Sequence, residues 1–599
     1  MRGFLQAALA GTAAAATFDW ADITPQHDVE YQDCYDGFQC ARLILPMDWK
    51  NETNNATVEI AITKLPAVVN DTDPTFGGPI FTNPGGPGGS GVAYIVQAGR
   101  VLRGIFDIPD KKHYEIVSFD PRGIGHSTPS INCYPSGLLE RSANGFELHG
   151  NGGLDTGLAA MQYGLALADA EAQRCETAHG DFLRYVGTPN VARDMVAMVD
   201  KLHEERMKRN GQKAAQSSDE KDSSRLELRS AGSAGSDDVP RLQYVGFSYG
   251  TILGNYFASL FPDRIGRIIL DGVCNTDDYA NGDGWLTNTV DADEVTDNFF
   301  DGCYKSGDDC ALYKMNDKSG KDIKARFWSW LEKLPEKPLI ATVDGATAIL
   351  RSSDFLALLT QAIYFPLLTF KPMAADFNAA MAGNAEPLLR KLMAGNEIPA
   401  LKDGCLLPNF TETPPLLVEA RSAVLCVDGS DIRGHNSTWW SGYLGKQMSL
   451  SKVAGALWTT IRLGCSSWQY QTNWPFRGPF KTPPPSKSPS HPEKGKPAAP
   501  LFFVSNRLDP VTPLRAAREM AKGHPGSGLL VQEAMGHTVL GMGAVNECTK
   551  RYVSEYLDTG VVPEEEVSCE AACDPWDKVC AFSAQIVPPM YQRTIHNLR

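Results

Sequence analysis

The sequence predicts an α/β protein in which a mostly parallel sheet is covered by helices on both faces. Between about residues 40 and 275, short apolar segments with strand character, such as 58–63, 79–83 and 114–120, alternate with segments of helical character. This alternation is typical of parallel sheets, because parallel neighbours need a long crossover connection. A further strand of this kind, at 501–505, follows a long middle block, so the pattern resumes late in the chain.

The middle block is mainly helical in its patterning and is predicted to be a lid inserted into this core. A proline-rich stretch after it is predicted to be an extended linker. A polar, glycine-containing stretch at about 205–240 is predicted to be a disordered insertion in the first part of the core. In chain order, the predicted parts are a signal peptide (1–17), the first part of the core (18–275), the lid (276–480), the linker (481–500), the second part of the core (501–568) and a cysteine-containing tail (569–599).

The composition argues against two classes of partner. The 599 residues carry a formal net charge of −15, with 43% hydrophobic and 21% charged residues, as in ordinary soluble globular proteins. A negative balance without a basic stripe argues against nucleic-acid binding. No stretch after the N-terminus is long and apolar enough to span a membrane, so a membrane partner is not expected.

The N-terminus and the cysteines indicate secretion. Arg2 precedes a short apolar run that ends in small residues near Ala16, which is typical of a signal peptide; a disordered alanine-rich leader is the alternative. Fourteen cysteines occur without the Cys-x-x-Cys spacing of metal sites, so disulfides are predicted. The first guesses for pairing are the local groups Cys34/Cys40, Cys303/Cys310 and Cys569/Cys573/Cys580. Five sequons are predicted glycosylation sites, namely Asn51, Asn55, Asn70, Asn409 and Asn436.

The predicted nucleophile is Ser248, at the centre of Gly246-Phe247-Ser248-Tyr249-Gly250. A strand-like segment at 242–245 precedes this pentapeptide, and a helix-like segment that ends at Pro262 follows it. Strand, tight glycine-flanked turn and helix together form a nucleophile elbow, in which the serine hydroxyl stands out above the sheet. The alternative is a structural turn, because Gly-x-Ser-x-Gly also occurs by chance.

A base and an acid follow Ser248 in the order that this arrangement requires. A serine hydroxyl needs an adjacent base at neutral pH, and His537 lies in a loop after a strand-like segment at 529–532. Asp509 follows the strand at 501–505 and is predicted to orient His537. The alternatives are Asp271, at the end of an earlier strand, as the acid, and an ordinary surface histidine for His537.

An oxyanion hole completes the predicted site. One donor is expected to be the backbone N–H of Tyr249, and the other a backbone N–H of Gly85 or Gly86 in the glycine-rich loop at 83–91. A phosphate-binding loop is the alternative, but the Gly-Lys-Ser/Thr ending of that motif is missing. This chemistry needs no metal and no organic cofactor, and none is predicted.

Taken together, these segments resemble the tripeptidyl-aminopeptidase and proline-iminopeptidase branch of the α/β hydrolases. The resemblance covers about residues 40–560, and the part from about Ala423 onward resembles the C-terminal region of the tripeptidyl aminopeptidases. It implies a secreted serine exopeptidase that removes short pieces from peptide N-termini, with Ser248, Asp509 and His537 as its triad. The segments that carry the resemblance are 83–91, 120–127, 246–251, 509–513 and 536–538.

The substrate stays open at the level of sequence. An aminopeptidase needs a carboxylate for the free amine of its substrate, and Asp428 and Glu412 in the lid are the candidates, although either can simply be an exposed acid. Without such an anchor, the same triad serves small-molecule esters or amides, which is the alternative function. A catalytically inactive binding protein is a third possibility, and the intact set of serine, acid and histidine argues against it.

Overall fold

The computed structural model describes residues 18–135, 137–217, 239–395, 397–399, 418–541 and 545–578. The predicted signal peptide lies outside these residues. The strands are β1 (Gln32–Cys34), β2 (Phe38–Pro46), β3 (Thr57–Leu65), β4 (Phe76–Asn83), β5 (His113–Phe119), β6 (Leu242–Phe247), β7 (Ile265–Asp271), β8 (Leu339–Val343), β9 (Ala346–Leu350), β10 (Phe502–Leu508), β11 (Gly528–Met535) and β12 (Val567–Glu570).

In the described part of the chain, ten of these strands form one sheet in the order β1-β2-β3-β5-β4-β6-β7-β10-β11-β12. The pairs β1/β2, β2/β3 and β3/β5 are antiparallel. Each neighbouring pair from β5 to β12 is parallel. The predicted α/β fold with a mostly parallel sheet is therefore confirmed.

Helices pack on both faces of the sheet, because its strands are apolar on both faces. Along β6, for example, Tyr244 belongs to one hydrophobic cluster and Val245 to the other. This alternation follows from the two-residue period of a strand. The helices are Gly91–Phe106, Leu138–Asn151, Leu158–His179, Thr188–Ser217, Tyr249–Leu260, Thr276–Ala280, Ala292–Ser306, Gly320–Lys333, Ser352–Tyr364, Pro366–Met381, Glu386–Ala394, Val418–Asp428, Ser437–Leu450, Gly455–Leu463, Leu514–Ala521 and Glu547–Thr559.

The lid block, residues 276–480, is inserted between β7 and β10, which pair with each other in the sheet. It is mainly helical, as predicted, and it also holds the antiparallel hairpin β8–β9, which the sequence patterning did not indicate. Its apolar side chains join the same hydrophobic cluster as one face of the sheet. The lid block therefore packs as a continuation of the core.

Two predicted boundaries need correction, at the insertion and at the tail, and the linker packs more closely than an extended spacer would. The helix Thr188–Ser217 extends into the stretch from 205 that was predicted to be disordered, and residues 218–238 lie outside the described part. Strand β12 pairs with β11, so the start of the predicted tail at 569 belongs to the sheet. The proline-rich stretch forms neither helix nor strand, but it packs on the core, with Ala498 N–H donating to the Ile265 carbonyl at 2.9 Å.

Five disulfides join cysteines of the described residues. Cys34–Cys40 and Cys303–Cys310 are the predicted local pairs. Cys569 was grouped with its sequence neighbours, and this was wrong, because it pairs with Cys548 across the edge of the sheet. The two remaining bridges span longer loops, Cys133–Cys175 and Cys426–Cys465. In the part of the chain that the structure covers, no helix combines the length and apolar character needed to cross a membrane.

Candidate active site

Ser248 occupies a sharp turn between β6 and the helix Tyr249–Leu260. Its backbone angles, φ 55° and ψ −123°, lie in a region where residues other than glycine are strained. The flanking glycines are required by contact: a Cβ on Gly246 would lie 2.3 Å from the Gly250 carbonyl oxygen, and one on Gly250 2.6 Å from the Asn83 carbonyl oxygen. The geometry is that of the nucleophile elbow which the sequence predicts.

The glycine-rich loop after β4 lies directly against this elbow. Gly85 has φ +93°, and a Cβ there would stand 2.5 Å from the Phe247 carbonyl oxygen and 2.9 Å from both Ser248 Cβ and Tyr249 N. Gly86 also has a positive φ, of +111°. Only glycine permits such a close approach of two backbones.

Two backbone amides beside the elbow are candidate donors to an oxyanion. Tyr249 is the first residue of its helix, where an N–H has no intrahelical acceptor. Of the two glycines that were predicted as second donor, Gly85 already donates its N–H to Asn83 Oδ1 at 3.0 Å. Gly86 is therefore the better candidate for the second donor.

Asp509 and His537 meet at the carboxyl ends of β10 and β11. The two carboxylate oxygens of Asp509 lie 3.1 and 3.0 Å from His537 Nδ1. Because an ionised carboxylate only accepts hydrogen bonds, Nδ1 must carry the proton, and Nε2 is the free base in the neutral ring. The Thr512 hydroxyl oxygen also lies 3.1 Å from Nδ1.

The acid is buried but well supplied with donors. Asp509 accepts backbone N–H bonds from Val511 at 3.0 Å, Thr512 at 2.8 Å and Thr538 at 3.0 Å. Burial on its own would raise the pKa of Asp509, but the facing His537 and these hydrogen bonds hold the pKa below its ordinary value. Asp509 is thus kept ionised beside the imidazole.

Asp271, the alternative acid, has a different set of partners. Its carboxylate accepts the backbone N–H groups of Val539 and Leu540, both at 2.7 Å, and that of Gly541 at 3.3 Å. Burial raises the pKa of Asp271 to about 7. The contacts with His537 Nδ1 therefore favour Asp509 as the acid that orients the base.

The lid block contacts the histidine directly, which sequence reasoning missed. His537 N–H donates to the Tyr364 carbonyl oxygen at 2.9 Å, and the two rings are edge-to-face with centroids 5.1 Å apart. Tyr364 ends the helix Ser352–Tyr364, which the helical pattern did indicate, but no local signal marks its contact with residue 537. The lid block therefore forms one wall beside the base.

Asp428, a predicted anchor for the substrate amine, lies behind the elbow and is only 3% exposed. It accepts hydrogen bonds from Thr188 N–H and the Tyr279 hydroxyl, both at 2.8 Å, and from the Thr188 hydroxyl, which also contacts the Tyr249 hydroxyl at 2.6 Å. Burial raises the pKa of Asp428 to about 6. The alternative of an exposed acid is wrong for Asp428, and the other candidate anchor, Glu412, lies outside the described residues.

The predicted glycosylation sites fall on the surface where the structure describes them. The asparagines of four sequons have exposed side chains, namely Asn51, Asn55, Asn70 and Asn436, and Asn409 lies outside the described residues. Their modification stays a prediction.

Comparison with known proteins finds hydrolases. A family model described as "TAP-like protein" matches residues 451–569. A tripeptidyl aminopeptidase of Streptomyces coelicolor is 25% identical over 578 residues, covering 94% of this chain and 88% of the relative. The serine protease Hip1 of Mycobacterium tuberculosis is 25% identical over 550 residues, covering 89% and 87%. A carboxylesterase B of M. tuberculosis is 31% identical over 159 residues, covering 26% and 28%.

Proposed function

Because the chain belongs to the tripeptidyl-aminopeptidase-like serine hydrolases, as its motifs predict, we propose that it is a secreted exopeptidase that releases short peptides from free N-termini. The observation that carries the proposal is the contact between Asp509 and His537 Nδ1 at 3.0 Å, on the same edge of the sheet as the Ser248 elbow. In this proposal Ser248 is the nucleophile, His537 the base and Asp509 the orienting acid, and the contact supports the pairing of the last two.

The reaction follows from these roles. Ser248 Oγ attacks the scissile carbonyl carbon while His537 Nε2 takes the hydroxyl proton, and Asp509 stabilises the imidazolium that forms. The backbone N–H groups of Tyr249 and Gly86 bind the oxyanion. Collapse of the intermediate breaks the peptide C–N bond, with the Nε2 proton passing to the leaving amine. Water then attacks the acyl carbon while His537 Nε2 takes its proton, and that proton passes to Ser248 Oγ as the ester bond breaks.

Action at a chain end, as opposed to its middle, is supported by the lid block. The Tyr364 carbonyl accepts the backbone N–H of His537 and its ring lies edge-to-face with the imidazole, so the lid block borders the proposed base on one side. Asp428 is enclosed by Thr188 and Tyr279 in this conformation. Its proposed role as amine anchor therefore requires that a substrate displace one of these partners.

Secretion is supported by the cysteines. Five disulfides among the described residues are typical of an oxidising compartment. We propose that the leader at 1–17 is a cleaved signal peptide. N-terminal sequencing of protein recovered from the culture medium of a eukaryotic host tests this directly, and a mature chain that still begins at Met1 would contradict it.

The nucleophile is tested by a fluorophosphonate probe that reacts only with activated serines. The intact protein should be labelled on Ser248, and Ser248→Ala should lose both labelling and turnover. Ser441→Ala, at an exposed position of the helix Ser437–Leu450, is the matched control and should be labelled like the wild type. Labelling of Ser248→Ala at the wild-type rate would refute the assignment.

The substrate class is tested by a panel of fluorogenic tripeptide amides with free or acetylated N-termini, together with single-residue amides and simple esters. An exopeptidase of the proposed type cleaves the free tripeptide amides and leaves the acetylated ones intact. Turnover of esters alone would overturn the peptidase proposal in favour of a small-molecule esterase, to which the partial similarity with a carboxylesterase B corresponds.

A further inference from the structure

Asp271 binds both the turn that carries Ser248 and the loop that follows His537. It is the last residue of β7, and its backbone carbonyl accepts the N–H of Ser248 at 3.1 Å. Its side chain accepts the backbone N–H groups of residues 539–541, in the loop that carries His537. The nucleophile and the base are far apart in sequence, and this aspartate binds the backbone at both.

The arrangement is fully enclosed. Asp271 is 0% exposed, and Val539 and Leu540, which donate to separate carboxylate oxygens, are also 0% exposed. An unpaired backbone N–H donor in such a buried place is costly, so the three hydrogen bonds to Asp271 hold the loop. The loop after His537 is therefore held in one position by the carboxylate and not by general packing alone.

The corner beside it has no spare room. Gly272 has φ +68°, and a Cβ there would lie 2.7 Å from the Thr538 methyl carbon and 3.2 Å from the Thr512 hydroxyl oxygen. Gly272 N–H in turn donates to the Val504 carbonyl at 3.1 Å. The end of β7 is thus pressed against the loops that hold both the base and its acid.

We propose that Asp271 is a positioning residue for catalysis, which fixes the distance between Ser248 and His537 by binding the backbone at both. It acts through these two residues and does not touch the substrate. The inference rests on the proposed triad. It adds a second buried aspartate whose function is geometric, alongside Asp509, which faces the imidazole.

The test compares Asp271→Asn with Asp293→Asn. Asparagine keeps the shape but places an amide donor against backbone N–H groups. Asp293 offers a matched carboxylate in the lid block, because it accepts the Ser451 hydroxyl at 2.6 Å and the N–H groups of Lys452 at 3.1 Å and Val453 at 3.3 Å. Both variants are compared with wild type by fluorophosphonate labelling rate, by kcat and KM on the best substrate of the panel, and by melting temperature.

Asp271→Asn should slow labelling and lower kcat by about 10- to 100-fold, the effect of a displacement of roughly 1 Å, with KM within about twofold. Asp293→Asn should leave both rates within about twofold, even where its melting temperature falls equally. Wild-type labelling and kcat in folded Asp271→Asn would overturn the proposal. If that variant does not fold, Gly272→Ala, which pushes on Thr538 from the same corner, decides by the same criteria. Absence of labelling in the wild type would instead refute the proposed triad.

Discussion

Replacing Ser248 by glycine removes the proposed nucleophile and also relieves backbone strain. We therefore expect Ser248→Gly to be inactive and more stable than Ser248→Ala. The residue has φ 55° and ψ −123°. A side chain in such a region costs about 1–3 kcal/mol. Glycine avoids that cost, but ordering it on folding costs about 0.5–1 kcal/mol more than alanine. The difference leaves Ser248→Gly more stable than Ser248→Ala by between about 0 and 2.5 kcal/mol, with a middle value of about 1 kcal/mol.

The comparison with alanine isolates the backbone term, because both variants lack the hydroxyl. For a chain of 599 residues the unfolding entropy is large, so this gain raises the melting temperature by only about 1 °C. Replicate scanning calorimetry of the two variants at one scan rate resolves a difference of that size. Both variants should be inactive towards every substrate of the panel.

An exposed helical serine provides the opposite expectation. At Ser441, glycine should be less stable than alanine, by about 1 kcal/mol, since the helix Ser437–Leu450 imposes no positive φ there. The sign of the glycine-minus-alanine difference should therefore reverse between the two positions. If glycine is also the less stable residue at Ser248, the elbow stores no strain and the reasoning fails.

Three further predictions concern the surrounding structure. Gly85→Ala should lower kcat by about 100-fold or more through displacement of the oxyanion donors, whereas Gly383→Ala, at φ +99° with no atom within 4 Å of its Cβ, should leave kcat unchanged. Removing the Cys133–Cys175 bridge, with a sequence separation of 42, should cost about 4 kcal/mol of stability. Burial raises the pKa of Asp428 from 3.8 to about 6, so its carboxyl contributes stability that is present below pH 3.8 and lost as pH rises through 6. Asp428→Asn should therefore remove a pH-dependent change of roughly 3 kcal/mol in the free energy of unfolding.

Each of these has a measurement and a contrary outcome. Equal kcat losses at Gly85 and Gly383 would mean that φ strain, and not the contact with the elbow, explains the first. The short Cys34–Cys40 bridge, with a separation of 6, should cost only about 2 kcal/mol in the same urea titration, and a reversed order would contradict the loop argument. For Asp428, the melting temperature should fall more steeply between pH 4 and 7 in the wild type than in Asp428→Asn. Equal pH dependence in the two proteins would contradict a raised pKa for the buried carboxyl.

Much of the site follows from local sequence. The strand before Ser248 and the flanking glycines sufficed to predict the elbow, because the requirement for Gly246 arises within the turn, from the Gly250 carbonyl oxygen. Asp509 and His537 could be predicted because each follows a buried strand, and the carboxyl ends of parallel strands meet at one edge of a sheet. Chain order could not decide between Asp509 and Asp271, because both lie between Ser248 and His537. The preference for Asp509 rested on its loop after the strand at 501–505 and on the family resemblance, and the contacts of His537 Nδ1 now support it.

The features that sequence reasoning missed depend on contacts between distant segments. Tyr364 reaches His537 only through the docking of the lid block, and Asp428 is buried only because Thr188 and Tyr279 close around it. Cys569 finds Cys548 because strand β12 joins the edge of the sheet, which no local pattern indicates. Local patterns predict what a segment forms, whereas these features depend on where the segment is placed.

Because the lid block is inserted within one connection, the sheet with the proposed triad and the lid block are encoded by separate parts of the chain. β7 and β10 pair with each other although the lid block lies between them in the chain, and Ser248, Asp509 and His537 all lie outside residues 276–480. Mutations on the surface of the lid block can therefore change that surface without changing the strands or the three residues of the proposed triad. The separation is not complete, because Tyr364 and Asp428 of the lid block bind residues of the core. A lid block of different sequence must still place a carbonyl oxygen where it accepts the backbone N–H of His537, the proposed base.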